Sequence, residues 1–175
     1  RHLVVLTKVA EEAEWSKPLP AGRGRGISLQ ESFGSIVAQV VEVSIINGEV
    51  FVNRVVAAID PGLAVAPDGI AAQVESGIIY GLSAALHGEI TIENGAVAQS
   101  NFDDYQTLRM NEAPVIETHV INSGHDIGGA GEPGTPGIAP ALANAVFDAT
   151  GIRVRQLPLK NFDLDFQVKE TGVAG

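Results

Sequence analysis

The stretch "SIVAQVVEVSIINGEVFVNRVVAAID", residues 35–60, holds two β-branched runs on either side of Asn47-Gly48. Asn-Gly is the dipeptide best suited to a two-residue hairpin turn in which both central residues take positive φ. Strands are therefore expected near 35–46 and 49–59, paired antiparallel. The signal returns in "EITIENGAVAQS", where Asn94-Gly95 is expected to join strands at 89–93 and 96–100. Between the two lies "APDGIAAQVESGIIYGLSAALHGE", in which Ile70, Val74, Ile78, Leu82 and Ala85 fall on one helical stripe and Asp68 is a candidate cap. The other side of that helix carries Gln73, Gly77, Tyr80 and Gly81. Two glycines inside a helix cost stability, so another backbone or a ligand is expected to come close there.

Outward from this centre the chain opens on Arg1, not on methionine, already inside a helical pattern at Leu3, Leu6, Ala10 and Ala13. A longer parent chain is expected. "SKPLPAGRGRG" ends that helix and places Gly22, Gly24 and Gly26 before a strand-like run. It lacks the lysine and hydroxyl residue of a phosphate-binding P-loop and follows a helix instead of a strand, so a phosphate site is not expected. Residues 101–114 lack any period and read as a surface loop, 115–121 as a strand, and 140–150 as a helix with Pro140 in its first turn and Gly151 as its stop. "RVRQLPL" is expected to be a closing strand. The division expected is one domain over 1–160 and a tail over 161–175.

The 175 residues suffice for one full hydrophobic core. Eleven Lys and Arg against 21 Asp and Glu leave a net charge of -10, which argues against nucleic acid as a partner. Cysteine is absent, so this chain offers no thiolate nucleophile, no zinc-thiolate site and no ligands for an iron–sulfur cluster. No apolar run approaches the roughly 20 residues of a membrane-spanning helix, and no signal peptide is recognisable, so no membrane insertion is expected. His2, His87, His119 and His125 show no i,i+4 ligand pair and read as structural. Asp103, Asp104 and Glu112 read as solvated loop acids. Ser76 and Ser123 lack any base-and-acid pattern.

The candidate for chemistry lies in "GGAGEPGTPGIAPALANAVF", residues 128–147. Pro133 disfavours the helical basin for Glu132, and Gly128, Gly129, Gly131 and Gly134 permit backbone shapes and approaches that side chains would block. A carboxylate is thus presented on a tight loop ahead of a helix N-terminus. From the residues alone, two readings stand: a solvated glutamate in a glycine-proline turn, or a functional carboxylate.

"GRGRGISLQESFGSIVAQVVEVSI", "RVVAAIDPGLAVAPDGIAAQVESGIIYGLSAALHGEI", "GAVAQSNFDDYQTLRMNEAP" and "GGAGEPGTPGIAPALANAVFDATGIRVRQLPL" together resemble the C-terminal part of the molybdopterin-binding large subunit of the xanthine dehydrogenase and aldehyde oxidoreductase family. Within that family the chain resembles the isoquinoline 1-oxidoreductase β-subunit branch. The resemblance runs from about residue 15 to 159. It implies an α+β fold of the molybdenum cofactor-binding type, with a mixed or antiparallel sheet and packed helices. It also implies a molybdenum ion held by the pterin's dithiolene, with no protein side chain as metal ligand, and hydroxylation of an N-heterocycle or aldehyde with oxygen derived from water. Glu132 in "GAGEPG" matches the family's proton-accepting glutamate, Gly131 lies next to the metal's ligand shell, and Gln73 in "AAQVESG" matches the glutamine that hydrogen-bonds the cofactor.

The partners implied are the remainder of the large subunit, an iron–sulfur subunit carrying the clusters, and a small-molecule substrate. The chain departs from the family pattern at "DPGLAVAPD", where Ala66 stands in place of an asparagine before Pro67. The isolated chain is expected to bind no molybdopterin and to associate with itself or with the rest of its subunit. A non-catalytic assembly module with the same fold is the alternative.

Overall fold

The computed structural model describes residues 1–162 together with Leu164. A four-stranded mixed sheet lies at its centre, in the order β1 (Arg23–Ser32), β2 (Ser35–Ile46), β3 (Glu49–Asp60), β6 (Val115–Val120). The first three strands pair antiparallel, and β6 runs parallel to β3 from Arg54↔Val115 to Ile59↔Val120. This is the α+β architecture expected, and the turn that builds its centre is the one legible in the sequence. Asn47 takes φ 53° and Gly48 φ 79°, both in the left-handed region that the two-residue turn requires.

The Asn94-Gly95 turn also forms, with φ 50° and 82°, but it joins only Ile92–Glu93 (β4) to Ala96–Val97 (β5). These strands are far shorter than expected. All four residues are exposed, so no buried face extends the pairing beyond the turn.

Helices cover both faces of the large sheet. Helix α2 (Pro67–Leu86) and helix α3 (Ile138–Thr150) lie on one side, where Val74, Ile78, Leu82 and Ala85 of α2 and Leu142, Ala145 and Val146 of α3 are buried against Val37, Val41 and Val43 of β2 and Val55, Ala57 and Ile59 of β3. Helix α1 (His2–Glu12) covers the other side and packs on Ile36, Ala38, Val40, Val56 and Ala58. Because β2 is covered on both faces, it reads as a nearly continuous apolar run without alternation.

Several expectations are corrected. The buried face of α1 is Val5, Val9 and Ala13, whereas Leu3 is 73% exposed. Both stripes have helical period, and the sheet selects between them. Arg54 donates to the Glu12 carbonyl at 3.1 Å, and Arg25 donates to the carbonyls of Glu14, Trp15 and Lys17, so two sheet arginines fix the rotation of the helix end. These arginines belong to a ladder across all four strands, Arg25–Glu42–Arg54–Glu117, with Arg54 Nε 2.7 Å from Glu117 and Arg25 Nη2 2.9 Å from Glu42. The Arg54 guanidinium holds the Glu117 carboxyl below its ordinary pKa.

Asp68 is not a cap. Helix α2 starts at Pro67 with Ala66 as its N-cap and no side-chain cap bond. "RVRQLPL" is not a strand either. After Gly151, in the left-handed conformation at φ 75°, the chain passes irregularly over the core, burying Val154 and Leu159 before a short 3-10 helix at Leu159–Asn161. The outer edge of β1 is taken by side chains of α3, where Arg25 N donates to Asp148 and Asn144 donates to Ile27 O. Of the expected tail, Leu164 is buried in the core, and residues 163 and 165–175 lie outside the described residues.

Two glycines of "GRGRG", Gly24 and Gly26, have a packing role. Gly24 and Gly26 point to the same face of β1, and a Cβ on Gly26 would overlap the backbone of Ala141 and Ala145, while one on Gly24 would overlap Ala145 and Ala149. Helix α3 rests directly on the strand backbone. No helix among the described residues is long and apolar enough to cross a membrane.

Candidate functional site

The loop from 122 to 137 runs between β6 and α3 and is anchored at both flanks. On the β6 side the anchor is Asp60, 1% exposed at the end of β3. Its carboxylate accepts from Arg1 Nε at 2.8 Å, Ser123 Oγ at 2.7 Å and its own turn's Gly62 N at 2.9 Å. Burial pushes the Asp60 pKa upward, but these donors together outweigh it and hold the group below its ordinary value. Gly62, at φ 79°, lies so close to the Asp126 carbonyl that a side chain would overlap it. Gly128 N donates to Pro61 O at 2.8 Å and Gly129 N to Phe33 O at 2.7 Å, and Ser35 Oγ donates to Gly129 O. The strand ends of β1, β2 and β3 thus hold the loop as far as residue 129.

On the α3 side the anchors are polar side chains of β1 and β2. Gln30 donates to Pro133 O, Gln39 Nε2 to Gly134 O at 2.6 Å, and Ser28 Oγ to Gly137 O at 2.7 Å. Thr135 N closes a turn on Glu132 O at 2.9 Å. Helix α2 supports this segment from the side: a Cβ on Gly134 would stand 2.7 Å from Val74 O, one on Gly77 3.0 Å from Thr135 Oγ1, and one on Gly81 2.8 Å from Thr135 O. Gly77 and Gly81 are buried and lie against the chain's own backbone. Close approach was the expected reason for them, and the element that approaches is the 134–138 segment.

Between the two anchored flanks, Gly131 and Glu132 are exposed. Among the described residues the Glu132 carboxylate has no hydrogen-bond partner. A Cβ on Gly131 would meet nothing within 4 Å, and its φ lies outside the left-handed region, so neither backbone shape nor space within the described residues demands glycine there. Gln73 is exposed one residue before the Val74 backbone that Gly134 packs against. Gln73 and the Gly131–Glu132 pair therefore sit on neighbouring elements, α2 and the loop that packs on it. None of them lines either of two concavities among the described residues, a groove of about 360 Å³ between the outer face of α3 and residues 153–157, and one of about 680 Å³ beside the β2–β3 turn.

Several of the remaining candidates lie beside structural neighbours. His2 lies 3.0 Å from Glu31, His87 3.5 Å from Glu112 and His119 3.8 Å from Glu12. Asp104 accepts from the backbone N–H of Ser100 and Asn101, which lowers its pKa and closes the surface loop. Ser123 serves Asp60. Among the described residues no group of three or more His, Asp or Glu is placed to hold a metal ion.

A family model described as the molybdopterin cofactor-binding domain matches residues 7–114. The chain belongs to that family. The matched segment includes Gln73 and ends before Gly131 and Glu132. The chain is 36% identical over 166 residues to the isoquinoline 1-oxidoreductase subunit beta of Brevundimonas diminuta, covering 91% of this chain and 21% of that protein. It is 33% identical over 175 residues to a membrane-bound aldehyde dehydrogenase of Gluconacetobacter polyoxogenes, named with pyrroloquinoline quinone, covering 94% of this chain and 22% of that one. Among solved structures it is similar to a Cu,Mo-CO dehydrogenase, with a TM-score of 0.61 and 27% identity, covering 71% of this chain and 17% of that one. The chain thus spans about a fifth of the length of the curated relatives it matches.

The polar anchors Ser28, Gln30, Ser35 and Gln39 were missed in the sequence, although glutamine in the apolar run "SIVAQVV" was a usable signal. The Arg1–Asp60 pair was missed as well. The depressed pKa of Asp60 makes its contribution complete above the unfolded aspartate value of about 3.9 and lost as pH falls through the lower folded value. Asp60→Asn is expected to cost about 1–3 kcal/mol at pH 7 by leaving buried donors without their charged acceptor. The acid side of the stability profile should flatten: thermal melts between pH 6 and pH 3 should show a smaller loss for Asp60→Asn than for the parent.

Proposed function

We propose that this domain supplies one wall of the active site of a molybdenum hydroxylase that oxidises an N-heterocycle or an aldehyde, with Glu132 as its proton acceptor. The observation that carries this is the tip of the 128–137 loop. Its flanks are fastened to the sheet and to α2, yet its Gly131 has open space and its Glu132 carboxylate is exposed without a partner. A solvated turn does not need that much anchoring, and a glycine with room for a Cβ is accounted for by a group outside the described residues that comes close. When bound, the pterin-held molybdenum supplies Lewis acidity and takes up the electrons of the substrate.

The chain's own residues then have distinct tasks. Glu132 accepts a proton at a carboxylate oxygen, Gly131 keeps the approach to the loop clear, and the carboxamide of Gln73 hydrogen-bonds the cofactor from the start of α2. Shared membership of a molybdopterin-binding family and the relatives' names, an N-heterocycle oxidoreductase and an aldehyde dehydrogenase, support this substrate range. The other wall of the site comes from the remainder of the large subunit, and the electrons leave through an iron–sulfur subunit.

Cofactor content tests the proposal. The assembled protein should contain about one molybdenum and one pterin per site, and absence of both would identify a non-catalytic assembly module. Gln73→Ala should lower molybdenum occupancy while leaving the fold intact, because Gln73 is exposed and the lost hydrogen bond, about 1–3 kcal/mol, concerns the cofactor alone. Unchanged molybdenum content in that variant would remove Gln73 from the site.

A further inference from the structure

We infer that Gln30 and Gln39 are positioning residues for Glu132, acting through the carbonyls of Pro133 and Gly134 that immediately follow it. This rests on Glu132 as the proton acceptor and adds what aims it.

Gln39 is fully buried on a face of β2 otherwise made of Val37, Val41 and Val43. Its amide N–H donates to Gly134 O at 2.6 Å, but its carbonyl oxygen has no partner. A buried carboxamide satisfied on one side only is a poor stabiliser compared with an apolar side chain of the same shape. Stability therefore does not account for glutamine at this position. Its effect is geometric. The Gln39 side chain also occupies the space beside Gly137, where a Cβ would stand 2.8 Å from its oxygen, so it sets the distance between sheet and loop.

Gln30, one strand away and half-buried, performs the same task for Pro133 O. With Thr135 N on Glu132 O, three successive carbonyls, 132, 133 and 134, are each held by a donor. The ring of Pro133 removes the freedom in φ that would remain. The backbone at Glu132 is thereby fixed, while its carboxylate is left without any hydrogen bond among the described residues. Such a base keeps its side chain free for a reacting group and needs no reorganisation of the loop.

The test uses the assembled, molybdenum-loaded protein with Gln39→Met and Gln30→Met. Methionine has nearly the shape of glutamine but no donor, and Gln30 offers a half-exposed site should the buried replacement fold poorly. Hydrogen exchange of the peptide spanning 131–137 should be faster by about 10-fold in both variants, at equal molybdenum content. Turnover of isoquinoline or benzaldehyde as probe should fall about 10–100-fold in kcat with KM little changed. Adding Glu132→Gln to Gln39→Met should then leave the rate no lower than Glu132→Gln alone, a coupling that general loss of stability would not produce. Unchanged exchange, or faster exchange with parental kcat, overturns the inference. If Glu132→Gln alone keeps parental turnover, the base assignment fails and the positioning role falls with it, even where exchange shows that the two glutamines hold the loop.

Discussion

Glu132→Gln is expected to lower turnover of the assembled, molybdenum-loaded enzyme by about 10²–10⁴-fold, the range associated with loss of a general base. Glutamine keeps the size of the side chain and much of its hydrogen bonding but has no proton-accepting oxygen of comparable basicity. The fold and the loop should be unaffected, because the 132–135 turn is closed by backbone and held by Gln30 and Gln39, and the carboxylate contributes nothing to it. Substrate binding should persist. The effect should therefore appear in kcat, at equal metal content and with thermal stability equal to that of the parent. Turnover within a few-fold of the parent would return Glu132 to the status of a turn residue and leave the proposed function without its proton acceptor.

Gly26→Ala is expected to have the largest effect on stability. The added methyl would overlap the Ala141 carbonyl and the Ala145 amide, which are backbone atoms of α3 and cannot rotate away. Helix α3 would have to lift from β1, opening the contacts of Leu142, Ala145 and Val146 with the core. A cost of about 3 kcal/mol, the upper end of the overpacking range, follows because the overlap is with backbone, a large part of the margin of a domain this size. Since α3 begins where the Glu132 loop ends, cofactor content should fall as well. Gly69→Ala is the control. It adds the same methyl to the first turn of α2, where the nearest atom is 3.8 Å away, and is expected to stabilise by up to about 1 kcal/mol. Thermal melts of the two variants should move in opposite directions. Equal melting temperatures would show that α3 does not rest on the β1 backbone.

The sequence by itself determined the elements whose conformation is set locally. Asn47-Gly48 specifies its hairpin because few other residues take positive φ without cost. Gly151 ends α3 for the same reason, and the spacing of Val74, Ile78, Leu82 and Ala85 defines the buried face of α2 without reference to the rest of the chain. The exposed Glu132 loop was legible from Pro133 and its flanking glycines, which act on the backbone of their own neighbours.

Tertiary structure alone decided the features that depend on a partner far away in sequence. These are the parallel pairing of β6 with β3, the rotation of α1 under Arg25 and Arg54, and the use of Gly24, Gly26, Gly77 and Gly81 as seats for another backbone. The hold of Gln30 and Gln39 on the loop about a hundred residues later is of the same kind. A period-two pair of glycines and a glutamine among valines mark such positions in the sequence, but the partner that accounts for them is chosen only when the chain packs. Glycine's missing side chain and a carboxamide's hydrogen bond are permissive or unsatisfied until another segment arrives.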